Sequence, residues 1–322
     1  MDFRTTIKPL ANKGVIAHDG AITMLGSCFS DNIGRRLQDA LFDVEVNPFG
    51  TLYNPASIAL ALQDLINCRE FCINDLFEYQ GRYHSFSHHS SFSGVNADDV
   101  ISRINDKIDG ASERLKRSRV LIITFGTAYV YEYKKTQSVV SNCHKLPASN
   151  FSRRSMAVDE IVSLWSKLIV KIREINPEIN IIVTVSPIRH LADGAHENQL
   201  SKSTLLLAVN KLCHELDNVI YFPAYEIMMD DLRDYRFYAS DMIHPSDVAI
   251  GYIYEIFSQS FFSEETNNIV RESEKLMRRL KHRHMTDDVS VIEKFNLSTQ
   301  QIIDRILSAY PYLEQAINKI HV

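Results

Sequence analysis

The sequence predicts an α/β protein with a doubly wound parallel β-sheet. Four runs of aliphatic and β-branched residues are nearly continuous, as expected of parallel strands covered on both faces. These runs span residues 21–25, 119–125, 179–186 and 218–223. Helical periodicity fills the stretches between them, at 55–67, 97–117, 156–175 and 198–216. Strands that alternate with helices are typical of βαβ units.

Two segments interrupt this alternation. Aromatic and β-branched residues at 129–133 and 138–140 flank a short polar turn, which predicts a hairpin inserted after the strand that ends before Gly126. The stretch 78–94 is rich in His and Ser and predicts a loop or an edge strand. Asn54 and Pro55 are a typical N-cap and first residue for the helix at 55–67.

The last part of the chain is predicted to be helical. Residues 250–262 are expected to pack on the sheet, and the charged amphipathic segments 263–285 and 297–321 predict two further helices. We therefore divide the 322-residue chain into an α/β domain at 15–262 and a helical C-terminal extension at 263–322. We expect the extension to pack as an appendage, with a cap or an oligomer contact as alternatives.

Composition excludes several classes of partner. With 45% hydrophobic and 23% charged residues, the chain has the make-up of an ordinary globular protein. A net charge of −5 provides no basic field for nucleic acid, and no apolar run approaches the roughly 18–20 residues of a membrane helix. We expect neither nucleic acid nor a membrane as a partner, and the oligomeric state stays open.

The cysteines predict a reducing compartment. They are odd in number and widely scattered, unlike a disulfide framework. They are Cys28, Cys68, Cys72, Cys143 and Cys213. The first residues also lack the charged-then-apolar pattern of a secretory signal. We therefore expect a cytoplasmic protein in which Cys28 stays a thiol.

Cys28 is the leading candidate for a nucleophile. It lies in a glycine turn, Gly26-Ser27-Cys28-Phe29-Ser30, between the first predicted strand and an amphipathic stretch. Backbone N–H groups at a helix start favour negative charge, so a thiolate forms more readily there and an oxyanion is easier to hold. The alternatives are a buried, inert Cys28, and Ser27 as the nucleophile or as a helix cap.

Asp241 and His244 are the candidate base and its orienter. Asp241 lies three residues before His244 and can reach its imidazole across one turn, which would fix the tautomer of the ring. A helix is predicted to begin near Ser246, directly after the pair. The alternative is that His244 is a hydrogen-bonded core histidine.

Other polar residues follow the predicted strands at their carboxyl ends, where ligand sites form in open parallel sheets. Gly126 and Thr127 follow the second strand, and a polar loop that contains His190 follows the third. Tyr225 and Glu226 follow the fourth strand. We predict that the loop with His190 contacts substrate.

His144 follows the predicted hairpin and is expected to support the site or contact substrate. A transition-metal site is the alternative, formed by Cys143, His144 and residues among His84, His88 and His89. Their spacing matches no recognised zinc pattern, and Cys68 and Cys72 do not complete one. We predict no metal and no other cofactor.

These residues resemble one protein family. The turn at Cys28 resembles the Gly-Ser-Cys-Phe-Ala signature of the GSCFA family, with Ser30 in place of the final alanine. Further stretches similar to the family follow in order: Asn47-Pro48-Phe49-Gly50, Tyr53-Asn54-Pro55, Gly126-Thr127-Ala128, Asn142-Cys143-His144-Lys145, Ser186-Pro187, Asp234-Tyr235-Arg236-Phe237-Tyr238 and Asp241-x-x-His244-Pro245. The resemblance covers about residues 15–260.

The GSCFA family is similar to the SGNH (GDSL-type) hydrolases, which implies a flavodoxin-like three-layer α/β/α fold and ester or acyl chemistry. Aligning Gly26 with the superfamily's Gly-Asp-Ser block places Cys28 on the nucleophile. Gly50 and Gly126 match the glycines of the second and third blocks, and the last block matches Asp241 and His244. The third-block asparagine is Ala128 here, so Thr127 or another donor must replace it.

Together these features predict an acyl-ester hydrolase or acyltransferase. Cys28, or Ser27, would attack the acyl carbon of a small-molecule or carbohydrate substrate, with His244 as base and Asp241 as orienter. The backbone N–H groups of Cys28 and Gly50 would hold the oxyanion. The alternative is a catalytically idle module that binds a carbohydrate or acylated ligand on the same fold.

Overall fold

A computed structural model describes residues 4–282, 288–318 and 320 of the chain. Its strands are β1 (Ala21–Gly26), β2 (Val44–Val46), β3 (Leu76–Tyr79), β4 (Arg82–Ser85), β5 (Ser118–Phe125), β6 (Tyr129–Tyr133), β7 (Ser138–Val140), β8 (Phe151–Ser155), β9 (Asn180–Val185) and β10 (Val219–Phe222). Its α-helices are α1 (Cys28–Asp39), α2 (Pro55–Ile66), α3 (Ala97–Arg117), α4 (Val158–Ile175), α5 (Ala195–Glu215), α6 (Ala224–Glu226), α7 (Asp247–Phe261), α8 (Glu264–Leu280), α9 (Val289–Ala309) and α10 (Glu314–Asn318).

Five parallel strands form the central sheet in the order β2-β1-β5-β9-β10. This is the doubly wound order of flavodoxin-like folds, and it reverses direction between β1 and β5. The predicted fold class is therefore confirmed, and each of the four predicted strands and four predicted helices is present. The edge strand β2 was not predicted, because it has three half-buried residues and no apolar run.

Helices cover both faces of the sheet. Successive residues of β9 face opposite sides, so Ile181 belongs to one hydrophobic core and Ile182 to the other. The first core packs the strands against α2, α3, α4 and α5, with Trp165 of α4 at its centre and fully buried. The second core packs them against α1 and α7.

Two small antiparallel sheets interrupt the α/β pattern. The predicted hairpin is confirmed as β6 and β7, and β8 pairs with the other edge of β6 to give a three-stranded sheet. We call this the inserted sheet. Part of the stretch predicted as a loop or edge strand instead forms the separate β3–β4 hairpin.

The C-terminal helices differ in detail from the prediction. Helix α7 packs on the sheet as expected. The helix expected at 297–321 begins earlier, at Val289, and ends before Pro311, which has no N–H to continue the helical ladder. Positions 283–285, 319 and 321 of the two predicted helices lie outside the described residues.

Helices α8, α9 and α10 share a third hydrophobic core. Leu276, Ile303 and Leu313 pack together there with Leu41, which comes from the α/β part of the chain. The domain division at residue 262 stays a prediction. Across the residues that the structure describes, no helix combines the length and apolar character needed to cross a membrane.

Lys202 on α5 joins the ends of two neighbouring strands. Its side chain is fully buried. Its ammonium group donates to the carbonyl oxygens of Gly126, at 2.6 Å, and Ser186, at 2.7 Å. These residues directly follow β5 and β9. Burial lowers the pKa of Lys202 to about 7, because removing an ammonium from water disfavours its charged form.

Replacing Lys202 with methionine is expected to lower the free energy of unfolding by about 2–4 kcal/mol, because two buried carbonyl oxygens lose their donor. Denaturant unfolding of wild type and variant measures the difference. Lys211→Met is the matched control on the same helix, since Lys211 pairs with Asp159 at the surface. Loss of such an exposed pair has little effect on stability. Equal destabilisation by both substitutions would contradict this role of Lys202.

Candidate active site

The turn between β1 and α1 requires glycine and presents Cys28 at a helix start. Gly26 has a φ of +149°, and a Cβ there would collide with the carbonyl oxygen of Thr124. Ser27 is buried and is the N-cap of α1, its hydroxyl accepting from the Phe29 N–H at 3.4 Å. Cys28 is thus the first residue of α1, where backbone N–H groups have no partner within the helix.

The Asn47 side chain holds this turn in place. Its Oδ1 accepts from the Gly26 N–H at 2.8 Å, and its Nδ2 donates to Asp31 on α1 at 2.6 Å. The Leu52 N–H also donates to the Gly26 carbonyl oxygen, at 2.9 Å. Residues 47–52 therefore form a brace behind the turn.

Ser30 links the same helix to the neighbouring strand. Its hydroxyl is buried and donates to the Thr124 hydroxyl on β5 at 2.7 Å. The contact explains why a serine fits at this position, where the family signature has an alanine.

A cavity of about 540 Å³ opens at the carboxyl edge of the sheet. It adjoins the point between β1 and β5 where the strand order reverses, which is the expected place for a ligand in such folds. The side chains around it include Cys28, Tyr53, Thr127, Tyr131, His190 and His244. The Tyr53 hydroxyl lies 3.7 Å from the Cys28 Sγ. Burial and the adjacent Cys28 raise the pKa of Tyr53, so its phenol stays protonated.

His244 reaches this cavity from the segment before α7, with Asp241 holding its ring. Nδ1 of His244 donates to Oδ2 of Asp241 at 2.6 Å. The other carboxylate oxygen of Asp241 accepts from the backbone N–H groups of His244 and Ile243, each at 2.9 Å. These contacts lower the pKa of Asp241 to about 2, the two backbone N–H groups having the largest effect. Because Nδ1 is bound to Asp241, Nε2 is the ring nitrogen that could exchange a proton with a nucleophile.

Comparison with known proteins identifies the family. The GSCFA family model matches residues 21–257. The chain belongs to the GSCFA family. No curated protein matches the sequence.

Among solved structures, the GSCFA chain is similar to a family 3 carbohydrate esterase from Clostridium thermocellum. The two are 11% identical with a TM-score of 0.35, and the match covers 78% of this chain and 97% of that one. It is also similar to a family two carbohydrate esterase from the same organism, solved in complex with cellohexaose. That pair is 15% identical with a TM-score of 0.30, over 79% of this chain and 65% of the esterase. Similarity at this level concerns the fold alone.

The predicted oxyanion role of Gly50 is wrong for this GSCFA structure. The Gly50 N–H donates to the Asn47 carbonyl oxygen at 2.7 Å and is used within the brace. Gly50 has a φ of +76°, and a Cβ there would collide with the Cβ of His89. Glycine is therefore required at this position by the turn and by the close approach of His89.

Gly126 and Thr127 lie beside Cys28, but their donors are also used. Both backbone N–H groups donate to the Tyr53 carbonyl oxygen, at 2.7 and 2.9 Å. The Thr127 hydroxyl lies 3.1 Å from that of Ser201, which also accepts from the Ala128 N–H at 2.8 Å. Thr127 lines the cavity as predicted, whereas Ala128 is fully buried beneath it.

His144 is directed away from the cavity, contrary to the predicted substrate contact. Its Nε2 is 2.8 Å from the Ser85 carbonyl oxygen, and its ring packs against that of His84 with centroids 4.7 Å apart. Cys143 lines the cavity instead. The described ranges contain no group of three or more His, Cys, Asp or Glu side chains that could hold a metal ion.

Tyr225 and Glu226 do not line the cavity either. The Tyr225 hydroxyl donates to Gln199, and Glu226 accepts from the Tyr221 hydroxyl at 2.6 Å. The residues directly after β1, β5 and β9 line the cavity, whereas the segment after β10 contributes later, through Ile243 and His244.

The inserted sheet supplies a wall that the sequence did not predict. Arg153 of β8 lies 3.8 Å from the ring centre of Tyr129 and pairs with Asp193 at 2.5 Å. Tyr131 of β6 lines the cavity beside them. Tyr53 was also missed as a site residue, although it lies in a stretch that resembles the family.

His190 lies in the cavity wall, as the prediction of a substrate-contacting loop requires. Its Nε2 is buried and has no hydrogen-bond partner within the described structure. Burial lowers the pKa of His190 to about 4, helped by the Lys202 ammonium. The loop is held by the His190 backbone N–H, which donates to Asn198 on α5 at 2.8 Å.

Three buried histidines are expected to make the protein acid-labile. Burial lowers the pKa of His88 to about 3 and that of His144 to about 4, the same direction as in His190. In the unfolded chain each binds a proton near pH 6.5. Between about pH 6.5 and 4 the unfolded state therefore binds more protons, and the free energy of unfolding falls as pH falls.

Replacing His88 with phenylalanine is expected to reduce this pH slope by about 1 kcal/mol per pH unit. His88 is fully buried and stacks on Phe49 with ring centroids 4.7 Å apart, so an aromatic replacement retains the packing. Denaturant unfolding at several pH values measures the slope. His214→Phe, at an exposed position of α5, is the control and should behave as wild type. An unchanged slope in His88→Phe would contradict the prediction.

Proposed function

We propose that this GSCFA protein is an acyl-ester hydrolase or acyltransferase of the SGNH type. The observation that carries the proposal is that Cys28, at the start of α1, and His244, held by Asp241, line one cavity. A nucleophile, a base and an orienting carboxylate are the three parts that covalent acyl transfer requires. The cavity lies at the carboxyl edge of a doubly wound sheet, where such parts converge.

In the proposed reaction, Nε2 of His244 takes the proton of the Cys28 thiol, and the sulfur attacks the acyl carbon. Asp241 stabilises the imidazolium through Nδ1. The carbonyl electron pair moves to oxygen, beside the N–H of Cys28. When the intermediate collapses, the ester C–O bond breaks and His244 returns the proton to the departing alcohol. The resulting thioester is then cleaved by water or by an acceptor hydroxyl.

The side chains in the cavity walls are suited to a polar substrate that contains a ring, such as an acylated sugar. Tyr53, Tyr129 and Tyr131 each offer an apolar ring with a polar hydroxyl. Arg153 and Asp193 add charged hydrogen-bonding groups on the same side. Small-molecule or carbohydrate acyl esters are therefore the substrates to screen first.

Cys28→Ala and His244→Ala are each expected to lower kcat/KM for p-nitrophenyl acetate by at least about 10³-fold, because each removes an essential part of one unit. Release of p-nitrophenol measures the rate. Cys68→Ala, at an exposed thiol, is the matched control and should retain wild-type turnover. Equal turnover by wild type and both site variants would rule out the mechanism.

A catalytically idle ligand-binding module is the second candidate. It is favoured by Ala128, which supplies no side-chain donor at the third-block position, and by the Gly50 N–H, which is used elsewhere. Iodoacetamide at neutral pH separates the two. An activated nucleophile predicts that Cys28 is alkylated faster than the exposed Cys68 and Cys72, whereas an idle site predicts no such difference.

Asp241→Asn is expected to lower kcat by about 10²–10⁴-fold while leaving the fold intact. The amide oxygen can still accept from the two backbone N–H groups, but the NH₂ group would face Nδ1 of His244 and favour the wrong tautomer. Steady-state kinetics and denaturant unfolding are measured on the same preparation. Wild-type kcat in this variant would show that Asp241 does not orient the base.

A further inference from the structure

Acyl transfer at Cys28 requires hydrogen-bond donors where the oxyanion forms, and most of the expected donors are already used. The N–H groups of Gly50, Gly126 and Thr127 donate to carbonyl oxygens, and that of Ala128 donates to Ser201. The Cys28 N–H at the start of α1 alone would be a weak oxyanion site. A side-chain donor from elsewhere in the cavity is needed.

The ring of His190 is in the right place to be that donor. A Cβ built on Gly126 would lie 3.4 Å from Nε2 of His190 and 3.4 Å from the Cβ of Ser27. Nε2 and the Ser27 side chain therefore lie on the same side of the third-block glycine. The ring also meets Tyr53 edge-on, with centroids 6.0 Å apart, and Tyr53 touches the Cys28 sulfur.

We propose that Nε2–H of His190 donates to the oxyanion, in place of the third-block asparagine side chain that is absent at Ala128. This rests on the proposed function of Cys28 as the nucleophile. Nε2 has no partner among the described residues, so its hydrogen-bonding capacity is unused within the described structure.

The surroundings of His190 favour a neutral ring that donates, and oppose a role as the base. Burial has the largest effect in lowering the pKa of His190, and Lys202, His244 and Arg153 lower it further, whereas Asp193 raises it. The ion pairs within the described ranges include none between His190 and a carboxylate, whereas His244 has Asp241. A neutral imidazole has one N–H group that is a very weak acid, so it can donate a hydrogen bond to the oxyanion without losing its proton.

Contacts with α5 hold the backbone at His190 and the ends of the neighbouring strands. The His190 backbone N–H donates to Asn198, and Lys202 holds the carbonyl oxygens at the ends of β5 and β9 beneath it. The donor is therefore positioned before substrate binds. Such preorganisation is the condition under which a single donor contributes strongly to the rate.

Each group has one role in the resulting step. The Cys28 sulfur forms a bond to the acyl carbon while the carbonyl electron pair moves to oxygen. The oxygen accepts from the Cys28 N–H and from Nε2–H of His190, and no proton leaves His190. Collapse re-forms the carbonyl, the ester C–O bond breaks, and His244 supplies the proton to the alcohol.

His190→Phe and His190→Gln test the proposal, with His196→Gln as the control at an exposed position in the same region. With p-nitrophenyl acetate, His190→Phe should lose about 10²–10³-fold in kcat with little change in KM. His190→Gln, which offers an amide N–H, should recover about tenfold or more of that loss. The control should keep wild-type kcat.

Alkylation separates a donor from a base. Iodoacetamide reacts with the Cys28 thiolate without forming an oxyanion, so both His190 variants should be alkylated at the wild-type rate across pH. Slower alkylation of both variants, or loss of the acidic limb of the pH profile for kcat/KM, would identify a base and overturn the proposal.

The outcomes distinguish this inference from the function on which it rests. Turnover that survives Cys28→Ala would overturn the proposed function and the role of His190 together. Turnover that depends on Cys28, with His190→Phe at wild-type kcat, would overturn the role of His190 alone. Loss of kcat in His190→Phe with normal alkylation supports both.

Discussion

The site depends on a buried lysine, Lys202, that joins the ends of two strands. A parallel sheet ends in carbonyl oxygens that the next residues must satisfy, and at β5 and β9 the Lys202 ammonium satisfies two of them. The same charge disfavours protonation of His190 above it. One side chain therefore joins two strand ends and adds to the burial that lowers the pKa of a ring in the cavity.

The sheet and its covering helices could be predicted because their signals are local. Buried strands read as aliphatic runs, and helices repeat every 3.6 residues. Strand β8 was missed because its residues after Phe151 are polar and half-buried or exposed. Lys202 was missed although it shares a helical face with the buried residues Leu205, Val209 and Leu212. A lysine in register with such a face is the signal that could have identified it.

In the candidate site, too, the features with local sequence signals could be predicted. The placement of Cys28 at a helix start and the contact between Asp241 and His244 could be predicted, because a glycine turn and a three-residue spacing are visible along the chain. The predicted oxyanion role of Gly50 could not be checked from the sequence, because a matched glycine does not show whether its N–H is free. In the structure this N–H donates to the Asn47 carbonyl oxygen. His190 was predicted only as part of a polar loop. Its buried ring depends on contacts with Tyr53 and α5, which are distant in sequence.

The inserted sheet and the loop that carries His190 are tied together. Arg153 of β8 pairs with Asp193, three residues after His190, and the Tyr129 hydroxyl donates to Glu197 on α5 at 2.5 Å. The wall that would contact the acyl acceptor therefore holds the loop that would stabilise the oxyanion. Because the two share these contacts, we expect a substitution in the wall to shift His190 as well. In the proposed reaction, specificity and rate would then be coupled, and a substrate that fits the wall poorly would lose kcat as well as affinity.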